Sequence, residues 1–259
     1  MALKIKELVI GSGRPKICVP VTANGEVQLA EQLEAIRKIC FSEEKKCVDL
    51  LEWRIDFWEN IEDEKSRKRA LEKIHKEFPM LPLLFTFRSR REGGERELSW
   101  KKYEGLCRWA LAQEEVDILD IELFAEDRVS ENILKTKPAG KYILLSNHDF
   151  EKTPVQEDIL ERLSQMDRLG ADILKVAVMP KTKADVLTLL EATMEMQERT
   201  EKPVVTMSMG RLGLISRLSG EIFGSAITFG TAGKASAPGQ IEAGKLFDIL
   251  NLLMQNGKS

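Results

Sequence analysis

Short apolar runs alternate along the chain with longer segments in which apolar residues recur at helical spacing. A short apolar run is typical of a buried strand, and a period of 3.6 residues is typical of an amphipathic helix. The runs predict eight strands, at Ile17–Pro20, Val48–Trp53, Pro82–Phe87, Ile118–Leu123, Tyr142–Ser146, Ile173–Val178, Pro203–Met207 and Ala226–Phe229. The segments between them predict helices, so the chain reads as repeated strand–helix units.

The helical pattern is clearest in the segment that follows the sixth strand. Its residues at i, i+3, i+4, i+7 and i+8 are Val186, Leu189, Leu190, Thr193 and Met194. Asp185 is predicted in the first turn of this helix, where its charge suits the helix dipole. Gly170 is predicted to end the preceding helix as a C-cap.

Eight strand–helix units in 259 residues predict an α/β fold, the (β/α)8 or TIM barrel. A doubly wound sheet would need a glycine-rich dinucleotide turn after an early strand, and none is visible. The alternating segment Lys4–Ile10, followed by a glycine-containing turn, predicts an N-terminal hairpin that closes the bottom of the barrel. We predict a single catalytic domain over residues 1–259.

Composition narrows the function classes. The net charge of −3 gives no electrostatic case for nucleic acid, and no apolar stretch reaches the ~18 residues of a membrane span. The four cysteines form no CxxC pair, which favours a reducing cytoplasm. Only two histidines are present, which disfavours a histidine-based metal site.

A lysine inside an apolar run is the most informative single feature. Lys175 lies in the sixth predicted strand, and lysine is almost never fully buried unless it is paired. Burial lowers the pKa of a lysine ammonium, and a neutral amine can attack a ketone or aldehyde to form a Schiff base. The alternative is a strand-end lysine that reaches solvent or pairs with Asp172, and the local run alone favours that alternative.

Polar residues follow or end several other strands, and the carboxyl ends of barrel strands form the active-site face. They are Glu52, Arg54, Arg88, Asp120, Glu122, Asn147, His148 and Asp149, and the seventh strand ends at Met207-Ser208-Met209. Each has a structural alternative, such as a Glu52–Arg54 ion pair, a solvated Arg88 or a turn role for His148. Together they are a poor way to stabilise a core, because unpaired buried charges cost about several kcal/mol each.

This set supports a defined chemistry. Lys175 is the candidate amine nucleophile, and His148 has a pKa range suited to general acid–base work. Glu122 is expected to orient the histidine, and the arginines to bind a substrate carboxylate. The roles describe imine-mediated proton abstraction next to a ketone, a reaction that needs no metal.

The glycine-containing stretch Gly230–Gln240 follows the eighth strand. A phosphate loop needs four residues between its first glycine and its Gly-Lys pair, and here there are two, so that assignment is rejected. Its small residues suit a mobile lid, and an ordinary βα loop is the alternative.

The chain resembles the type I 3-dehydroquinate dehydratase family over nearly its whole length. The matching segments, which are specific together and weak singly, are Leu51–Asp56, Leu84–Ser89, Asp120–Phe124, Ser146–Phe150, Gly170–Pro180, Met207–Gly210, Ile215–Leu218 and Ala235–Gln240. The resemblance implies a cofactor-free barrel that converts 3-dehydroquinate to 3-dehydroshikimate in the shikimate pathway of aromatic amino acid biosynthesis. It also implies that the protein forms a homodimer and that its substrate is a small molecule.

The resemblance also implies residue roles. Lys175 would form the Schiff base, His148 would move the protons, and Glu122 would support His148. Arg217 would hold the substrate carboxylate. The residues expected to hold hydroxyls and close the site are Glu52, Arg54, Arg88, Ser236 and Gln240. Pro20 stands where some family members carry Ser, so no first-strand contact is implied.

Two other functions share part of this residue pattern. A class I aldolase or transaldolase-like barrel shares the imine lysine but breaks a carbon–carbon bond in a sugar phosphate. The arginines and the Ser146–Phe150 segment favour the dehydratase. A barrel retained as a binding module predicts loss of Lys175 or His148, and both are present.

Overall fold

A parallel eight-stranded sheet forms the centre of the molecule. The computed structural model describes residues 2–42, 45–125, 128–233 and 236–256. The strands are β1 (Lys16–Val21), β2 (Leu50–Arg54), β3 (Leu83–Thr86), β4 (Ile118–Glu122), β5 (Tyr142–Asp149), β6 (Ile173–Val178), β7 (Val204–Ser208) and β8 (Ile227–Thr231). Every predicted strand is present. The largest difference is that β5 runs to Asp149 rather than to Ser146, so His148 belongs to the strand itself.

The strands pair in chain order from β1 to β7, and β8 pairs back with β1. Between β7 and β8 the described residues share one isolated bridge, Val204 with Ser225. The hydroxyl of Ser225 accepts from the Thr206 amide at 3.0 Å, so a side chain replaces part of the ladder. Ile241–Glu242 adds a short strand to β8. The predicted TIM barrel is confirmed.

Helices surround the sheet. They are α1 (Glu26–Cys40), α2 (Glu64–Glu77), α3 (Trp100–Leu111), α4 (Val129–Lys135), α5 (Gln156–Leu169), α6 (Lys183–Arg199), α7 (Leu214–Leu218), α8 (Gly220–Phe223) and α9 (Ala243–Asn256). Gly170 ends α5 in the left-handed region, as predicted. Asp185 lies in the first turn of α6 and forms a capping box with Thr182. The periodic face of α6 is buried except at Met194, which is exposed.

The N-terminal hairpin covers the bottom of the barrel, as predicted. Its strands, Leu3–Ile5 and Leu8–Ile10, are antiparallel. Ile5 and Ile10 are buried against the residues that fill the barrel interior. Lys6 pairs with Asp117, which directly precedes β4, at 2.9 Å.

Three aspartates at this end of the barrel make the same kind of hydrogen bond to a neighbouring strand. Asp49, Asp117 and Asp172 directly precede β2, β4 and β6. Each accepts a backbone amide of the strand before, from Ile17 at 2.7 Å, Leu83 at 2.8 Å and Ile143 at 2.7 Å. Their cation partners are Arg14, Lys6 and Lys137. The alternative pairing of Lys175 with Asp172 is therefore wrong, because Asp172 is occupied at the opposite end of β6.

Two further findings concern the described residues only. None of their helices is long and apolar enough to cross a membrane. Cys18 and Cys107 are free thiols and are buried, and Cys47 is also buried.

Candidate active site

A cavity opens at the carboxyl ends of the strands. It is lined by Glu52, Arg54, Arg88, Glu92, Gly93, His148, Phe150, Lys175, Ala177, Met207, Met209, Arg217, Phe229, Ser236, Ala237 and Gln240. Eight of the nine predicted site residues are in this lining. The ninth, Glu122, is described by the structure but lies behind it.

Lys175 projects from β6 into this cavity and is only 4% exposed. Its Nζ lies 3.4 Å from an Asp120 carboxylate oxygen and 4.6 Å from the centre of the Phe229 ring. Asp120 comes from β4, two strands away. A carboxylate and an aromatic face thus hold the amine in the barrel interior, where little of it is exposed to solvent.

His148 contacts Glu92. Its Nδ1 lies 2.8 Å from Oε2 of Glu92, and its backbone amide donates to the same oxygen at 3.0 Å. Nε2 has no hydrogen-bond partner among the described residues. A histidine held at one nitrogen by a carboxylate and free at the other has the arrangement of a general base.

The expectation that Glu122 orients His148 is wrong in this geometry. Glu122 accepts from the backbone amide of Ser89 at 2.7 Å and from its hydroxyl at 2.8 Å. Both oxygens of its carboxylate therefore accept hydrogen bonds from the loop after β3. That loop carries Glu92 over the end of β4 and into contact with His148.

Two glycines allow this loop to reach the cavity. Gly93 has a φ of 82°, and a Cβ there would overlap the Phe150 ring. A Cβ on Gly94 would overlap the carbonyl of Arg88. Sequence reasoning missed Glu92, although the Arg88…Glu92 spacing followed by two glycines was an available signal.

Arg88 is surrounded by acceptors. Its guanidinium donates to Asp120 at 2.7 Å and to the Ser146 hydroxyl at 2.9 Å, and Glu92 and Glu122 lie within 3.4 Å. Burial lowers the pKa of Arg88, but the three carboxylates outweigh burial and raise it. Burial likewise raises the pKa of Asp120, and Arg88 then brings it below its ordinary value.

Arg54 and Glu52 are also engaged, although both line the cavity. Arg54 makes a bidentate pair with Asp56, at 2.8 and 2.7 Å. The alternative Glu52–Arg54 ion pair is absent among the described contacts, because Asp56 pairs with the Arg54 guanidinium. Glu52 accepts instead from the Thr86 hydroxyl at 2.9 Å.

Arg217 has a different environment. It is 2% exposed, its Nε has no hydrogen-bond partner, and no described carboxylate pairs with it. Its contacts are the Pro238 carbonyl at 3.0 Å and the Met207 sulfur at 3.9 Å. Burial lowers the pKa of Arg217 to about 10. A buried cation without a counter-charge is a strong candidate to bind an anion.

The loop after β8 brings Ser236 and Gln240 to the cavity. The Ser236 amide donates to Oε1 of Gln240 at 2.8 Å, and Nε2 of Gln240 donates to the Ser236 hydroxyl at 2.9 Å. Pro238 of the same loop contacts Arg217. Lys234 and Ala235 of this loop lie outside the described residues, and its mobility stays a prediction.

The pKa values of His148 and of its partner Glu92 both differ from their ordinary values. Burial first, and then the charges of Arg88, Lys175 and Arg54, lower the pKa of His148 well below its ordinary value. Burial raises the pKa of Glu92 to about 8, against the opposing effects of Arg88 and Asn147. Because the two groups share a hydrogen bond, they titrate as a pair.

The cavity therefore combines a buried amine, a histidine held by a carboxylate and a guanidinium that no described carboxylate pairs with. Such a set can bind an anionic ketone, form an imine and move a proton at the adjacent carbon. Among the described residues, no group of three or more His, Cys, Asp or Glu side chains could hold a metal ion.

Comparisons with known proteins identify the family of this chain. A family model described as type I 3-dehydroquinase matches residues 17–257. The chain is 48% identical over 254 residues to the 3-dehydroquinate dehydratase of Syntrophotalea carbinolica, covering 97% of each chain. It is 45% identical to the 3-dehydroquinate dehydratase of Bacillus licheniformis, covering 98% of each.

Solved structures show the same similarity. The type I 3-dehydroquinate dehydratase of Clostridium difficile, with covalent modified comenic acid, superposes with a TM-score of 0.91 at 43% identity, covering 99% of each chain. The 3-dehydroquinate dehydratase of Geobacillus kaustophilus superposes with a TM-score of 0.88 at 37% identity, covering 100% of this chain and 98% of that one. The chain therefore belongs to the type I 3-dehydroquinase family.

Proposed function

We propose that this chain dehydrates 3-dehydroquinate to 3-dehydroshikimate through a Schiff base on Lys175, as a hydro-lyase of the shikimate pathway. The observation that carries the proposal is one cavity lined by a buried lysine, a histidine held by Glu92 and an arginine without a counter-charge. The Syntrophotalea carbinolica and Bacillus licheniformis relatives, both named 3-dehydroquinate dehydratase, favour this function over the aldolase or transaldolase alternative.

The mechanism starts with the amine. Lys175 attacks the substrate ketone, and loss of water gives an iminium ion. Nε2 of His148 then removes a proton from the adjacent carbon, and the electron pair moves toward the iminium nitrogen as an enamine. The enamine expels the β-hydroxyl, which takes the proton from His148 and leaves as water. Hydrolysis of the new iminium frees the product and the lysine.

The remaining lining residues supply binding. Arg217 faces the substrate carboxylate, with Ser236 and Gln240 from the loop after β8 beside it. Glu52, Arg54 and Arg88 lie on the other side and are placed to meet hydroxyl groups, or to hold the groups that do. The Clostridium difficile relative is described with covalent modified comenic acid, which is compatible with covalent chemistry in this family.

Borohydride trapping tests the mechanism. With 3-dehydroquinate and borohydride, we expect irreversible inactivation and a reduced adduct on the peptide that contains Lys175. The Lys175→Met variant should give no adduct at any residue. Full dehydratase turnover together with an unmodified Lys175 would exclude the imine. Consumption of a sugar phosphate instead of 3-dehydroquinate would favour the aldolase.

Two further properties belong to this proposal. Cys18 and Cys107, which are buried free thiols, support a reducing, cytoplasmic location. Exposed apolar residues on neighbouring helices, Leu187 and Met194 of α6 and Ile222 of α8, support a homodimer. Light scattering should show a dimer, which Met194→Glu with Ile222→Glu should convert to a monomer. A monomeric parent protein would exclude this interface.

A further inference from the structure

A polar chain runs behind the Glu92–His148 pair. Arg162 of α5 donates to Oδ1 of Asn147 at 2.6 Å. Nδ2 of Asn147 donates to Oε1 of Glu92 at 3.1 Å. Asn147 is 5% exposed, so both of its amide contacts lie away from bulk solvent. Neither Arg162 nor Asn147 lines the cavity.

Arg162 fixes which way the Asn147 amide faces. A guanidinium can only donate, so the amide oxygen must face Arg162 and the NH₂ group must face Glu92. Arg162 is itself held in place. Its guanidinium lies 5.9 Å from the centre of the Phe124 ring and 3.9 Å from a carboxylate oxygen of Asp149.

Glu92 consequently meets donors at both oxygens. Oε1 accepts from Asn147, and Oε2 accepts from the backbone amide of His148 and lies 3.3 Å from Arg88. Nδ1 of His148 is the one contact that can either give or take a proton. The other charged groups that act on Glu92 are Asp120 and Glu122, which oppose its ionisation as burial does.

We propose that Arg162 and Asn147 are positioning residues that hold the Glu92 carboxylate as a hydrogen-bond acceptor, so that the neutral His148 carries its proton on Nδ1 and leaves Nε2 free as the base. If Arg162 is lost, the amide can turn its oxygen toward Glu92. Oε1 can then carry an acid proton that donates to the amide. The ionised carboxylate is disfavoured, and the pair takes up its proton at a higher pH.

This inference rests on the proposed function for the catalytic use of His148, but its first test does not need turnover. The chain has only two histidines, so nitrogen NMR of the ligand-free protein can resolve His148 with His75 as an internal reference. Spectra are recorded over a pH series for the parent protein, Arg162→Met, Arg162→Lys and Asn147→Leu. The matched control is Arg168→Met, because Arg168 is an exposed arginine of the same helix that pairs with Glu161.

In the parent protein above the transition, we expect Nδ1 to be protonated and Nε2 unprotonated. Arg162→Met and Asn147→Leu should raise the midpoint of proton uptake by about one pH unit, the size expected for losing one hydrogen bond to a charged group. Arg162→Lys should raise the midpoint less than Arg162→Met does, because lysine can still donate to Asn147. Arg168→Met should leave the midpoint unchanged. A parent protein with the proton on Nε2 at high pH overturns the proposal without any variant. Unchanged midpoints in both Arg162→Met and Asn147→Leu also overturn it.

The second readout is the pH profile of kcat/KM for 3-dehydroquinate. Its acidic limb should move upward by the same amount in Arg162→Met, with KM at the high-pH plateau nearly unchanged. A uniform loss of rate at every pH would indicate a merely structural role and overturn the proposal. If the parent protein lacks dehydratase activity but shows the shifted NMR midpoints, the proposed function fails and this inference stands.

Discussion

The two sides of the cavity treat their buried arginines in opposite ways. On the side formed by β2 to β5, which we call the crowded side, Arg88 contacts Asp120, Glu122 and Glu92, and Arg54 contacts Asp56. On the side formed by β7, β8 and the following loop, which we call the open side, Arg217 contacts a carbonyl and a thioether but no described carboxylate.

The difference separates scaffolding from binding. A guanidinium that is already surrounded by carboxylates has little left to offer a ligand carboxylate, and it holds those carboxylates in place. An unpaired buried guanidinium carries an uncompensated desolvation cost that an anionic ligand can relieve. The substrate carboxylate is therefore expected beside Arg217, which places the reacting carbons toward Lys175 and His148.

The largest expected effect concerns the chemistry on the crowded side. His148→Ala removes the group that moves the protons, so kcat should fall by about 10²–10⁴-fold. The matched control is His75→Ala, because His75 lies on α2 outside the cavity and its loss should leave kcat near the parent value. Steady-state kinetics at the pH optimum measure both. Near-normal turnover of His148→Ala would remove His148 from this role.

The second expected effect is a contrast in stability between the two arginines. Arg88→Met leaves Glu122 buried without a cation and Asp120 with Lys175 alone, which should cost about 3–5 kcal/mol in the free energy of unfolding. Arg217→Met removes an unpaired buried charge, so its change should lie within about 1 kcal/mol or be stabilising. Urea unfolding of the ligand-free proteins measures both. Equal losses in the two variants would contradict the contrast between the two sides.

Lys175 shows how much of this site can be predicted from the sequence. Its apolar neighbours in β6 marked it as anomalous, and burial of its side chain is confirmed. Its partner could not be read locally. Asp172 is three residues away but lies at the other end of the strand, whereas Asp120 is 55 residues away and reaches the amine because β4 and β6 line the same barrel.

Glu92 shows which part of the site cannot be predicted from the sequence. Alternating apolar runs identify strands, and thereby the residues at strand ends, but they say nothing about a loop. The reach of Glu92 depends on the left-handed conformation of Gly93 and on the packing of Phe150 above it. Glu122 sat at a strand end in the expected place, yet Ser89 took its carboxylate. Pairings among buried charges follow from loop paths and strand register, which the pattern of apolar residues does not encode.

A smaller effect tests the open side through substrate binding. Arg217→Met removes the charged donor for the substrate carboxylate, a contact of about 1.5–3 kcal/mol. KM for 3-dehydroquinate should rise about 10- to 100-fold, with a smaller change in kcat. Arg211→Met is the matched control, since Arg211 is exposed in the same connection between β7 and α7. An unchanged KM in Arg217→Met would place the carboxylate elsewhere.

The smallest effect concerns the crowded side and is seen as a dependence of stability on pH. The pKa of Glu92 is raised to about 8 in the folded protein, so the folded state holds this proton more tightly than the unfolded chain. The associated stability is fully present below the ordinary carboxyl pKa and is lost as the pH rises toward 8. The pKa of His148 is lowered, so its own contribution is lost only as the pH falls below about 6.5.

Between pH 6.5 and 8, Glu92 is therefore the group to follow. The parent protein should lose unfolding free energy over this interval through the Glu92–His148 pair, at a rate of at most about 1.4 kcal/mol per pH unit for one proton. Glu92→Gln cannot ionise and should lack this loss. Glu95→Gln, an exposed change in the same loop, should keep the slope of the parent protein. Parallel pH profiles for the parent protein and Glu92→Gln would mean that the crowded side already compensates the Glu92 charge, and the contrast with Arg217 would then rest on Arg88 alone.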